Sequence, residues 1–228
     1  MGARPVVARW ILDRTTRLVG GTAMLLIAAG RIDWAAAWAY QALTAAWVVG
    51  TAVVLIPGNP ELLAERLAPR KGAKTWDKWI MSIVGLALLA LYVVAGLDER
   101  HGWSVGIVPA GQIAAGVVFA LGHALTLWAM AANRFFSLIV RIQEERGHAV
   151  ATAGPYLWVR HPAYAGAILI YLGGPILLGS WWALLPAILA SFLMVLRTAL
   201  EDRTLLRELP GYPDLATRVR YRLVPGVW

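Results

Sequence analysis

Six apolar runs, each close to the length needed to cross a bilayer, organise this chain of 228 residues, and the basic residues fall almost entirely between alternate runs. The runs lie at roughly 15–31, 35–56, 79–97, 109–131, 163–180 and 182–200, against the ~20 residues a crossing helix takes. Ahead of the uncharged core of the first run stand Arg4, Arg9, Arg14 and Arg17. The 57–78 segment carries Arg66, Arg70, Lys71, Lys74 and Lys78. The 132–162 segment carries Arg134, Arg141, Arg146 and Arg160, and the C-terminal segment Arg197, Arg203, Arg207, Arg218, Arg220 and Arg222. The intervening connections hold only Arg31 and Arg100. This alternation predicts an all-α polytopic membrane protein of about six transmembrane helices (range five to seven), with both termini cytoplasmic. The first run is the weakest, because its uncharged core, Leu18 to Gly30, is short. No small-residue cleavage site follows it convincingly, so it reads as a retained span rather than a signal peptide.

Composition supports the same class. Hydrophobic residues make up 59% and charged residues 15%, whereas a soluble domain carries about 25% charged residues. The excess of 21 Lys and Arg over 13 Asp and Glu is then a topological signal, and nucleic acid is not an expected partner. Trp34, Trp79, Trp103, Trp181 and Trp182 fall at predicted span ends, where an amphipathic ring suits the headgroup level. Cysteine is absent, which excludes disulfides, thiol nucleophiles and Cys-ligated metals. The four histidines lack HxxxH or HxxE spacing, so no metal centre is expected; His101 and His123 stand alone, His123 within a span. The 57–78 loop reads as a short amphipathic helix on the inner surface.

The turn Gly179-Ser180-Trp181-Trp182 is so short that the last two runs must form an antiparallel hairpin. Residues near 160 and near 200 then become neighbours on the cytoplasmic face, and both segments carry groups suited to chemistry. In the first, Phe135, Phe136, Leu138, Ile139 and Ile142 alternate with Arg134, Arg141, Glu144 and Glu145 at helical spacing. That pattern predicts a helical extension of span four or an interfacial helix, ended by Gly147. Gly154-Pro155 breaks the chain, and His161-Pro162 opens span five, placing His161 at its N-cap among free N–H groups that attract anions. An interfacial turn with Arg160 snorkelling explains these residues equally well. In the second segment Arg197 and Glu201 share a helical face and can simply pair, leaving Asp202 either functional or a solvated helix end. Pro210-Gly211-Tyr212 breaks that helix, and Arg218, Arg220, Tyr221 and Arg222 follow in a basic, aromatic tail that lies over the site or on anionic lipid.

GPYLWVRHPAYAG (154–166), then RTALEDRTLLRELPGY (197–212) and RVRYRLVP (218–225), resemble the isoprenylcysteine carboxyl methyltransferase family, in its prokaryotic branch, within a wider group that includes membrane phospholipid methyltransferases. The resemblance covers roughly 130–228 and rests on two motifs in order across a hairpin. Residues 1–130 then form an N-terminal set of membrane helices, and 131–228 the methyltransferase region. The resemblance implies methyl transfer from S-adenosylmethionine, held at the cytoplasmic ends of the last spans beneath a C-terminal cap. Carried over by motif, Gly154, Tyr156, Arg160, His161, Pro162 and Tyr164 line the cofactor site from one side. Glu201, Asp202 and Tyr212 approach from the other. Asp202 stands where a second Glu is common, and Pro210 where Phe is common.

The donor's sulfonium and ammonium need acids, and its carboxylate needs N–H or cationic groups, which an acidic pair facing a helix N-terminus supplies. A carboxylate acceptor can be held by Arg160 or Arg222; an amine acceptor needs a base, Glu201 or His161. The expected acceptor is hydrophobic or lipid-borne, and the expected setting a prokaryotic inner membrane. Two other classes stay open: a membrane NADPH-dependent reductase related to sterol reductases, and a non-enzymatic scaffold. No strand precedes a GxGxxG, which excludes a soluble Rossmann methyltransferase. No small-residue seam in a span forces an oligomer.

Overall fold

A computed structural model describes residues 3–58, 60–67 and 72–228. Arg70 and Lys71 of the second basic segment lie outside the described residues. Among the described residues eight α-helices run in order: α1 (Ala3–Ala29), α2 (Ala35–Gly58), α3 (Pro60–Leu67), α4 (Thr75–His101), α5 (Pro109–Ala132), α6 (Pro162–Leu177), α7 (Leu184–Glu208) and α8 (Tyr212–Arg218). Among the described residues there is no strand. That follows from the solvent: in hydrocarbon every backbone N–H must be satisfied within its own segment, and a helix does this.

Among the described residues four helices, α2, α4, α5 and α7, are long and apolar enough to cross a membrane. Helix α6 is apolar but has 16 residues, about 24 Å at 1.5 Å per residue. It packs along both α5 and α7. Helix α1 starts well ahead of its expected boundary, so Arg9, Arg14 and Arg17 sit on its first turns rather than in a separate arm. A salt bridge of 3.0 Å between Arg17 and Asp13, one turn apart, helps the helix extend through this polar stretch.

The helices close into a ring. Helix α1 touches α2, α2 touches α5, and the circuit continues through α6, α7 and α4 back to α1. Tyr40, Leu91, Phe119 and Leu177 meet in the middle. The expected amphipathic helix is α3, whose Leu62 and Leu63 are fully buried against Trp10, Leu55 and Met130. At the opposite end the hairpin turn is pinned by buried Asp98, which accepts from Ser104 N at 2.7 Å, Ser104 Oγ at 2.6 Å and Ser180 Oγ. Gly179 takes the left-handed backbone the turn requires (φ +81).

Two expectations fail here. Trp34 is 4% exposed and belongs to the central core, so it anchors no interface. Trp79, Trp103, Trp181 and Trp182 are exposed, as an aromatic belt needs. The 133–146 segment does not extend α5 as a helix. It runs irregularly, with one short 3-10 turn at Glu144–Arg146 ended by left-handed Gly147. Local side-chain bonds compete with helical ones: Asn133 Oδ1 accepts from Phe135 N at 2.8 Å, and Ser137 Oγ from Ile139 N at 3.3 Å.

A small-residue seam does exist, but within the chain. A Cβ on Gly122 would stand 2.6 Å from the Gly166 carbonyl oxygen, and one on Gly166 2.4 Å from Thr126 Oγ1 and 2.7 Å from the Gly122 carbonyl oxygen. The seam lets α5 and α6 meet backbone to backbone. Gly166→Val should therefore force the two helices apart and destabilise the fold by about 1–3 kcal/mol. A thermal melt in detergent measures this; an unchanged midpoint would show the seam to be slack.

Candidate active site

Two carboxylates, adjacent in sequence on α7, point to different surroundings. Asp202 is fully buried and gathers the ends of the hairpin and the C-terminal segment. Arg160 donates to it twice, from Nε at 2.8 Å and Nη2 at 3.0 Å. Arg222 Nε donates at 2.7 Å and the Tyr212 hydroxyl at 2.8 Å. Arg160 Nη1 also reaches the carbonyls of Val219 and Arg220, at 2.6 and 2.9 Å. Burial works against the Arg160 charge, but Asp202 more than offsets it, and the guanidinium stays firmly protonated. Burial, and then the Asp202 charge, push the Tyr212 hydroxyl well above the usual phenol range.

His161 Nε2 lies 3.3 Å from Asp202 Oδ1 and 3.1 Å from the Tyr212 oxygen. The Tyr212 proton is directed at Asp202, so His161 Nε2 faces two acceptors and carries the ring's N–H there. Just ahead of α6 the backbone is already engaged. Arg160 N and His161 N donate to the carbonyls of Tyr221 and Arg222, at 3.0 and 2.9 Å. The C-terminal segment pairs with the approach to α6 and takes up these two amides.

Glu201 is the other acid, and it accepts from the Tyr164 hydroxyl. It is not paired with Arg197, although the two are one turn apart. Arg197 turns instead to Asp77 on α4, with Nε at 2.7 Å, and to the Leu138 carbonyl at 2.9 Å. Nor is Asp202 a solvated helix end, since four side chains surround it.

A cleft of about 790 Å³, including its open mouth, lies at this end of the bundle. Asn133, Tyr156, Arg160, His161, Tyr164, Glu201 and Tyr212 contribute its polar wall, and Phe135, Phe136, Ile139, Val150, Leu205 and Leu209 its apolar one. Glu201 is the sole carboxylate among the lining residues. Burial raises the Tyr156 hydroxyl above the phenol range, and Asn133 Nδ2 donates to it at 3.3 Å. The irregular 133–151 segment closes one side. It is tied to α3 by Arg141 and Glu65 at 2.9 Å and folded on itself by the Gln143 N–H donating to His148 Nδ1 at 3.3 Å. Burial, then Arg141 and Arg146, lower the pKa of His148, which suits that accepting nitrogen.

Of the residues singled out in the sequence, Tyr156, Arg160, His161, Tyr164, Glu201 and Tyr212 thus share the cleft wall. Asp202 lies behind it, and Arg222 beside Asp202 with 31% of its side chain exposed. Gly154 and Pro162 lie outside the wall. Gly154 (φ +59) starts the 3-10 turn Gly154–Leu157 that presents Tyr156, and a Cβ there would stand 3.0 Å from both Ala132 Cβ and Trp128 Nε1. Pro162 is the first residue of α6. The apolar wall was missed, although Leu205 and Leu209 follow Glu201 at intervals of one helical turn, a signal present in the sequence. Asp77 carried no such signal.

Known families place this arrangement. No curated protein matches the chain. Residues 114–207, less than half the chain but spanning α5, the 133–161 segment and the α6–α7 hairpin, match the isoprenylcysteine carboxyl methyltransferase (ICMT) family. Methyl transfer is that family's chemistry, and the stretch matched contains most of the cleft wall. Through that region, this integral membrane protein is ICMT-like.

Proposed function

We propose that the protein transfers a methyl group from S-adenosylmethionine, held in the cleft, to a hydrophobic or lipid-borne acceptor. The observation that carries this reading is Glu201, the sole acid among the described residues lining the cleft, on a wall that also carries Arg141, Arg160, His148 and His161 beside aromatic, amide and apolar groups. The donor set fits the cofactor. Glu201 suits its sulfonium, Phe135 and Phe136 offer faces for its base, and the Tyr156 hydroxyl and the Asn133 amide offer hydrogen bonds. When bound, S-adenosylmethionine supplies an electrophilic methyl on a sulfonium.

What the chain contributes is alignment and exclusion of water. Tyr164 orients Glu201 by the hydroxyl bond between them. Arg160 has most of its N–H groups committed to Asp202 and to two backbone carbonyls, so its role in this reading is to hold the wall and the C-terminal segment together. Arg222 lies beside the wall, bonded to Asp202 through Nε, but keeps partial exposure, and its remaining N–H groups are those assigned here to an acceptor carboxylate. For an amine acceptor, Glu201 and the second ring nitrogen of His161 are the bases at hand. Gly154 and Pro162 act through the backbone, shaping the turn and the start of α6. Asp202 and Tyr212 fix His161 from behind. We also assign the cleft end to the cytoplasmic side of a prokaryotic inner membrane, because the basic residues concentrate there.

The test is ligand binding by the full chain in detergent. S-adenosylmethionine should bind in the range expected for a cofactor, about micromolar, and labelled methyl should pass to a component of a membrane lipid extract. Binding of NADPH without S-adenosylmethionine would overturn the reading in favour of a reductase; binding of neither would leave a scaffold.

A further inference from the structure

The cleft acid has a cationic neighbour one helical turn away that does not reach it. Arg197 is 4% exposed in its side chain and Asp77, across the α4–α7 contact, 1%. One oxygen of Asp77 accepts from Arg197 Nε at 2.7 Å and the other from Val140 N at 2.9 Å. Arg197 Nη2 is held by the Leu138 carbonyl. Neither Asp77 nor Arg197 lines the cleft, yet the Arg197 guanidinium lies 5.0 Å from the centre of the Tyr164 ring, whose hydroxyl donates to Glu201.

A buried ion pair is weak evidence for stability, since desolvation offsets much of its attraction. Its direction is informative instead. On an isolated α7, Arg197 and Glu201 would be natural i,i+4 partners, and that pairing would neutralise the carboxylate facing the cleft. Asp77 holds the guanidinium out of direct contact with Glu201, though not out of its field. Among the described residues Glu201 forms no ion pair, and its hydrogen-bond partner is a neutral phenol.

We infer that Asp77, on a helix outside the family-matched region, is a positioning residue for Glu201: by capturing Arg197 it keeps the cleft carboxylate unpaired and available to a cationic ligand. The inference rests on the cofactor reading given under Proposed function and names how its charge selectivity is maintained. S-adenosylmethionine carries the sulfonium charge that S-adenosylhomocysteine lacks. Their affinity ratio therefore reports whether Glu201 is free, which loss of fold alone does not change.

The experiment measures both dissociation constants on the full chain in detergent for wild type, D77N, D77N/R197Q and R197K. Wild type should prefer S-adenosylmethionine. D77N, which releases Arg197 toward Glu201, should reduce that preference at least fivefold while changing S-adenosylhomocysteine binding little. D77N/R197Q removes the competing cation as well and should restore the preference. A D77N effect equal on both ligands, or a double variant no better than D77N, overturns the inference. Should D77N not be recovered folded, R197K and D77N/R197Q decide it. A flexible ammonium without the Leu138 contact should lower the ratio and the neutral pair should keep it; equal ratios overturn it. If wild type binds neither ligand, the cofactor reading fails instead. If E201Q abolishes the preference and D77N leaves it intact, only the role of Asp77 fails.

Discussion

Glu201→Gln should weaken S-adenosylmethionine binding by one to two orders of magnitude and leave S-adenosylhomocysteine within about threefold of wild type. The argument is electrostatic. Two unit charges 4 Å apart interact by about 4 kcal/mol at an effective dielectric near 20, and each 1.4 kcal/mol is worth a factor of about ten. The cleft is open at its mouth, so solvent screens part of that sum, and the expected loss is set below the thousandfold it would allow. Glutamine keeps the volume and an oxygen for the Tyr164 hydroxyl, which isolates the charge. Isothermal titration with both ligands measures the effect. Equal weakening of the two would mean that Glu201 shapes the cleft without sensing the sulfonium, and unchanged binding would remove it from the site.

The second large effect is on stability. Asp202→Asn should cost about 3–5 kcal/mol, because it leaves a buried guanidinium without its counter-charge. Asp202 accepts from Arg160, Arg222 and Tyr212 together, so the loss should be centred on the C-terminal segment. Proteolysis should begin in residues 209–228 at temperatures where wild type resists, and the melting midpoint should fall. Asp202→Glu should be less severe, since it keeps the charge and changes only the reach. A variant with Asn at this position that melts with wild type and resists protease equally would show that Arg160 does not depend on the carboxylate.

The sequence was legible where the bilayer imposed its rules. Span lengths and charge alternation anticipate α2, α4, α5 and α7 within a few residues at most ends, and the short Gly179 turn makes residues near 160 and near 200 neighbours, as His161 and Asp202 are. It was less legible where polar side chains bond to nearby backbone. The helical spacing of Phe135, Leu138, Ile139 and Ile142 is genuine, yet Asn133 and Ser137 divert the chain: Phe135 and Ile139 face the cleft, Ile142 packs against the cluster around Tyr212, and Leu138 is exposed. The Arg197–Glu201 spacing misled in the same way. A local partner was available at i+4, but a tertiary partner 120 residues away took the arginine, and no local pattern encodes such a choice. Trp34 went astray because its place near a span end matches both a headgroup anchor and a core residue.

The ring has a consequence for biosynthesis. Its closing contact joins α4 to α7, so Asp77 is translated and inserted long before Arg197 leaves the ribosome. With 120 residues between them and elongation at about 5–20 residues per second, the acid waits on the order of ten seconds at the edge of the hydrocarbon with no arginine to meet it. During that interval burying the unpaired carboxylate is costly, so the start of α4 is expected to stay hydrated until the last hairpin arrives.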